Sequence, residues 1–195
     1  MLFHSDHKSN PSQKLADQQA ARRGDARAFG RLVAPYREQM YALSFIILGD
    51  EQAAVAAAQA AIRLAAGHSA TLPAGDFELW LLRWVVSACR ARWRPASQDQ
   101  TGTGDLPARD VAQSLQGRLC RLPLELRLAL VLVDVTGLDY AQAATVLGAR
   151  REQVSSWLAE GRARLTFPPD APSPAEPPAP TQLSGGATGR AGVGQ

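Results

Sequence analysis

Cysteine is nearly absent. Cys89 and Cys120 are the only two in 195 residues, and they lie far apart without CxxC spacing. Neither a disulfide framework nor a zinc site is suggested, and a reducing compartment fits. Long apolar runs are also missing. The stretch LWLLRWVV is short and broken by Arg83, and the opening MLFHSDHKSN has no apolar segment of the kind that directs export. These absences predict a cytoplasmic chain that does not enter a membrane.

Catalytic hardware is missing too. There is no Gly-rich phosphate loop, no nucleophile elbow and no paired acid motif. His4 and His7 share an HxxH spacing but have no carboxylate or thiol at ligand spacing. The expectation is a protein that is not an enzyme, without metal, cofactor or small-molecule substrate. Lysine is scarce as well, with two against 19 arginines, at a net charge of +3. Arginine suits bidentate contact with phosphates and base edges, so a nucleic-acid partner is permitted, although a GC-rich genome would give the same excess.

Hydrophobic residues make up 46% of the chain, enough for a core. Two Pro/Gly/Ser-rich stretches divide it. Residues 95–109 read as a flexible linker and residues 168–195 as a disordered tail, with residues 1–12 as a disordered start. Two folded segments remain, 13–94 and 110–167, and both carry helical periodicity only. The expected fold class is all-α, as two small helical domains.

In the first segment Asp25 suits an N-cap, and Phe29, Leu32, Val33, Tyr36, Met40, Leu43 and Ile47 recur at helical spacing up to Gly49-Asp50. Pro35 should kink or break that run. The Ala-rich EQAAVAAAQAAIRLAA follows, and Asp76 can cap a further helix with Phe77, Trp80, Leu81, Trp84, Val85 and Ala88 on one face. In the second segment Pro123 fits the first turn of a helix and Gly137 its end.

LDYAQAATVLGARREQVSSWLAEGRARL, residues 138–165, has helix-turn-helix spacing. Tyr140, Ala143, Ala144 and Leu147 would face inward from one helix, and Val154, Leu158, Gly161 and Leu165 from the next. Gly148 permits the tight turn. A second helix of this kind fits the major groove, with Arg150 and Arg151 at its start for phosphate and Gln153, Ser155 and Ser156 for base edges. Arg162 lies on the same outer face. Trp157 reads as core or interface.

Taken in order, these segments resemble the extracytoplasmic-function group of bacterial RNA polymerase sigma factors over about residues 15–167. In the part resembling region four, Leu122-Pro123, Arg127, Gly137, Tyr140, Leu147-Gly148, Val154, Arg162 and Arg164 carry the likeness. In the part resembling region two, it rests on Gly24-Asp25, Ala28-Phe29, Leu32, Tyr36, Gly49-Asp50, Gln59 and Trp80-Leu81. The resemblance implies promoter-directed transcription initiation, with polymerase core and promoter DNA as partners and an anti-sigma factor as one the family allows. It implies core docking through Gln52, Ala56, Gln59, Ile62 and Arg63. Capture of the unpaired −10 strand would fall to Ser87, Arg90, Arg92, Trp93 and Arg94, and −35 reading to the outer face of the last helix.

The chain departs from the family pattern at several of these positions. Ala56 stands where an acid is usual and Ile62 where an aromatic is; Ser87 replaces Asn and Ala91 replaces Asp. In the recognition helix Glu152-Gln153 replaces Gly-Thr, and Ser155, Trp157 and Glu160 replace basic residues. Two other readings share these residues: a sigma-like regulator that binds a protein partner without melting promoters, and a stand-alone helix-turn-helix regulator. Co-purification with polymerase core and run-off transcription separate the three.

Overall fold

The computed structural model describes residues 11–94 and 114–166. The linker at 95–109, the tail at 168–195 and the first ten residues lie outside them. Among the described residues every regular element is helical.

The first half contains α1 (Pro11–Arg22), α2 (Ala26–Val33), α3 (Arg37–Leu48), α4 (Glu51–Gly67) and α5 (Phe77–Arg92). α1 starts at Pro11, so residues 11 and 12, expected to be disordered, are helical. The Asp25 carboxylate accepts the Arg27 and Ala28 N–H groups at 2.8 and 3.1 Å and caps α2. Pro35 has no N–H to donate, and the run breaks there into a 3-10 turn, Ala34–Tyr36. Gly49 ends α3 in the left-handed conformation at φ 73°, and Asp50 caps α4 through the Ala53 N–H at 2.6 Å.

Asp76 is a correction. It precedes α5 but makes no capping hydrogen bond, because its backbone (φ −31°, ψ 55°) lacks the extended geometry that turns a cap side chain toward the helix. The small side chains of α4, buried at Ala54, Ala57, Ala58, Ala60, Ala61 and Ala65, allow α3 and α5 to pack closely against it.

The second half contains α6 (Leu115–Arg121), α7 (Leu124–Leu130), a π-helical turn (Val131–Val135), α8 (Tyr140–Leu147) and α9 (Arg151–Thr166). Pro123 sits at the N-cap of α7, one residue before its first turn. The single helix expected from Pro123 to Gly137 widens into the π turn, in which the Thr136 N–H reaches back to the Val131 carbonyl at 3.0 Å. A capping box between Asp139 and Gln142 opens α8, and Gly148 closes it at φ 67°.

The core is continuous. Its buried residues run from Ala21 in α1 to Leu158 in α9, so the two halves share one apolar interior. Arg127 crosses between them. Only 2% exposed, it donates to the Ile47 carbonyl at the end of α3 and to the Cys120 and Leu122 carbonyls at 2.5 and 3.1 Å. Burial lowers its pKa, but a guanidinium surrounded by carbonyl oxygens stays charged.

Candidate nucleic-acid interface

α9 packs its Val154, Leu158 and Gly161 side against α7 and α8, and Gly161 lets it come close. A Cβ at that glycine would stand 2.8 Å from Leu130 Cδ1. This seating leaves Arg150, Arg151, Ser155 and Ser156 exposed on the first turns, where backbone N–H groups also favour phosphate. Trp157 is half-buried against the core, in keeping with its apolar character.

Two of the expected reading residues have other work. The Gln153 Oε1 accepts the Arg150 N–H at 3.0 Å, so its carbonyl caps the helix and its amide N–H₂ is what remains to present outward. Arg162 forks onto Asp134 of the π turn, Nε to Oδ2 at 3.1 Å and a terminal nitrogen to Oδ1 at 2.5 Å. These hydrogen bonds raise its pKa and hold it against the second half.

The residues expected to hold a separated strand cluster along α5, in differing states. Ser87 and Arg94 are exposed, and Trp93 is half-buried at the C-cap. Arg92 donates weakly to the Ala88 carbonyl at 3.4 Å. Arg90 forks onto Glu125 at 3.2 and 2.8 Å and donates its third nitrogen to the Leu147 carbonyl at 3.1 Å.

Beside them lies a cleft that sequence reasoning missed. Trp84 stacks on His68 with ring centroids 4.3 Å apart and meets Trp80 edge-on at 6.0 Å. Arg83 and Ser87 extend the wall, and Val146, Leu147 and Gly148 form the opposite one. The Trp84 indole N–H is buried without an acceptor. The spacing 80, 83, 84, 87, 90 along one helix is the available signal; periodicity alone assigns Trp80 and Trp84 to the apolar core, and the structure leaves Trp84 half-exposed. Aromatic faces beside arginine are the surface that unstacked bases favour.

The third group lies on α4. Gln52, Gln59 and Arg63 are exposed and Ala56 half-exposed, whereas Ile62 packs partly against the core. Gln52, Ala56 and Gln59 line a shallow depression with Val55 and Glu51. Glu51 thus brings a carboxylate to the depression in which position 56 has none. It is not among the expected residues, and it stands in the first turn of α4.

Residues 112–165 match the family described as sigma-70, region 4. A protein of Mycobacterium tuberculosis described as the ECF RNA polymerase sigma factor SigM is 33% identical over 177 residues, covering 84% of this chain and 86% of that protein. Among solved structures, CnrH in complex with the cytosolic domain of CnrY aligns with a TM-score of 0.61 at 24% identity, over 79% of this chain and 95% of that one. The sigma factor RpoE of Bartonella quintana, in complex with the anti-sigma factor NepR, aligns at 0.54 and 20% identity, over 71% and 94%. These two show a shared fold.

Proposed function

The chain belongs to the ECF RNA polymerase sigma factors, and from that premise we propose how its surfaces divide the work of the family. A sigma factor directs polymerase core to specific promoters for transcription initiation and is not itself an enzyme. In this chain α4 docks on the polymerase, α5 holds separated DNA, and α9 reads duplex DNA. The corresponding domains are residues 13–94 and 110–167.

What supports the reading most is the likeness to SigM across both halves of the chain rather than to one DNA-binding element alone. The geometry agrees with it, since a free basic first turn on α9, an aromatic and arginine cleft on α5 and a polar depression on α4 are three separate surfaces. RpoE, a protein of the same fold held by the anti-sigma factor NepR, makes an anti-sigma partner part of the proposal. No helix among the described residues is long and apolar enough to cross a membrane. A cytoplasmic location, where polymerase works, completes the reading.

The test is titration of labelled protein with purified core polymerase, followed by run-off transcription. Ala56→Asp adds a carboxylate beside Glu51 and should tighten core binding about fivefold where the polymerase surface is basic; Gln59→Ala and Glu51→Gln should weaken it. Absence of core binding by every variant would sink the docking assignment. Core binding without any run-off transcript would instead make this a sigma-derived regulator.

A further inference from the structure

Residues 168–180, PPDAPSPAEPPAP, hold seven prolines in thirteen positions, with PxxP spacing beginning at Pro169, Pro174 and Pro177. Asp170 and Glu176 are their only charged side chains. Proline at this density favours polyproline II, an extended left-handed helix whose carbonyls have no partner within it. Grooves that take such a segment are lined by aromatic rings, and the preformed helix loses little entropy on binding.

The cleft on α5 has a lining of this kind. It encloses about 580 Å³, with Trp80, Trp84 and His68 on one side and Leu147 and Gly148 on the other. Arg83 stands exposed in its wall and has no ion-pair partner among the described residues. The Trp84 indole N–H lacks an acceptor, and a buried donor left unpaired is costly. A slight turn of the indole would offer that N–H to a carbonyl of a polyproline segment.

The reach is right as well. Gly148 in the cleft wall comes just before α9, and the 16 residues of that helix carry the chain away from it. At a rise of about 1.5 Å per residue that is about 24 Å, which polyproline II at about 3.1 Å per residue retraces in about eight residues. Residues 167–174 are spent on the return. Glu176, Pro177, Pro178 and Pro180 are then the ones that arrive, with a carboxylate for Arg83.

We propose that the cleft is a polyproline groove and that residues 175–180 of the same chain occupy it, prolines against Trp80 and Trp84 and Glu176 beside Arg83. Tethering raises the effective concentration of the segment to the millimolar range, so a contact of low intrinsic affinity is populated. The docking itself is independent of DNA. Its consequence rests on the proposed function, since a separated strand would need the same aromatic faces.

The test uses the full-length chain labelled with 5-fluorotryptophan, the Trp84 signal being identified by its loss in Trp84→Phe. Replacing Pro177, Pro178 and Pro180 with Ser should shift the fluorine signals of Trp80 and Trp84 and leave Trp157 in place. Pro169→Ser with Pro172→Ser, in the returning stretch, should shift none. A synthetic peptide of residues 173–181, added to the triple variant above millimolar concentration, should restore the original signals. The same peptide carrying Glu176→Lys should bind about threefold more weakly, and Arg83→Glu in the protein should reverse that preference.

An unmoved Trp84 signal in the triple variant overturns the proposal, and so does an equal shift from the Pro169 and Pro172 pair. Peptide binding without any response to the triple substitution overturns it too, giving the groove to a proline-rich segment of another chain. Affinity for a fluorescent single-stranded DNA is measured on the same proteins. With the segment removed from the cleft it should rise about threefold, the gain expected when a third of the free chain has the cleft open. Unchanged strand affinity with the tryptophan results intact would take the cleft out of the DNA reading and leave the docking standing.

Discussion

Single residues are governed here by partners distant in sequence. Asp17 is nearly buried and accepts a fork from Arg31 at 3.2 and 2.5 Å, and that guanidinium holds its carboxyl below the usual carboxylate range. A depressed native pKa means the pair stabilises the fold above the ordinary value of about 3.9 and is lost as pH falls through the native one. Asp17→Asn should therefore cost about 1 kcal/mol or less at pH 7, Arg31 being mostly exposed, and the difference in Tm from wild type should close as pH drops below about 4. Thermal melts across that range check it. Cys89 is fully buried, and burial pushes its thiol up to about 11. It should resist alkylation in the native protein at neutral pH and react once denaturant is added, as peptide mass analysis after labelling would show.

Among the elements, α9 joins packing to recognition most directly. Gly161→Val would drive a branched side chain into Leu130, and overpacking of this kind costs about 2 kcal/mol or more, read as a lowered denaturation midpoint. The outer side answers to a different measurement. Replacing Arg150 and Arg151 with Ala should weaken duplex binding at every sequence and reduce the slope of log affinity against log salt by about 0.9 for each phosphate no longer neutralised. Ser156 variants should alter sequence preference instead. Superimposable salt titrations for the double variant and wild type would mean this helix does not face DNA. Arg162 belongs to the packing account, because Asp134 already holds it.

At the scale of the whole molecule the shared core makes a thermodynamic claim. Trp80, Trp84 and Trp93 report on the first half and Trp157 on the second, while helix content reports on both. Because the same buried cluster spans the two halves, tryptophan fluorescence and far-ultraviolet circular dichroism should give coincident urea transitions. Two resolved steps would mean the halves unfold separately. Arg127→Met should bring that separation closer, as it leaves the Ile47, Cys120 and Leu122 carbonyls without their donor at about 1–3 kcal/mol for a buried group left unpaired.

The sequence by itself determined the helices, most of their ends and the family. Asp25, Gly49, Asp50, Asp139 and Gly148 act on backbone groups within a few residues, and apolar spacing picks the inward side of each helix, so these features are legible locally. The exposed first turn of α9 was legible for the same reason. Asp76 was not, since capping needs a backbone angle that its residue type does not impose. Nor was the π turn, whose Asp134 engages an arginine 28 residues away. Tertiary structure alone decided which arginines stay free for a partner. Arg151 and Arg90 are alike in composition and charge, but α7 and the end of α8 bring Glu125 and the Leu147 carbonyl to Arg90, 35 and 57 residues along the chain, and α9 projects Arg151 into solvent. That difference arises from packing between elements, for which local sequence carries no signal.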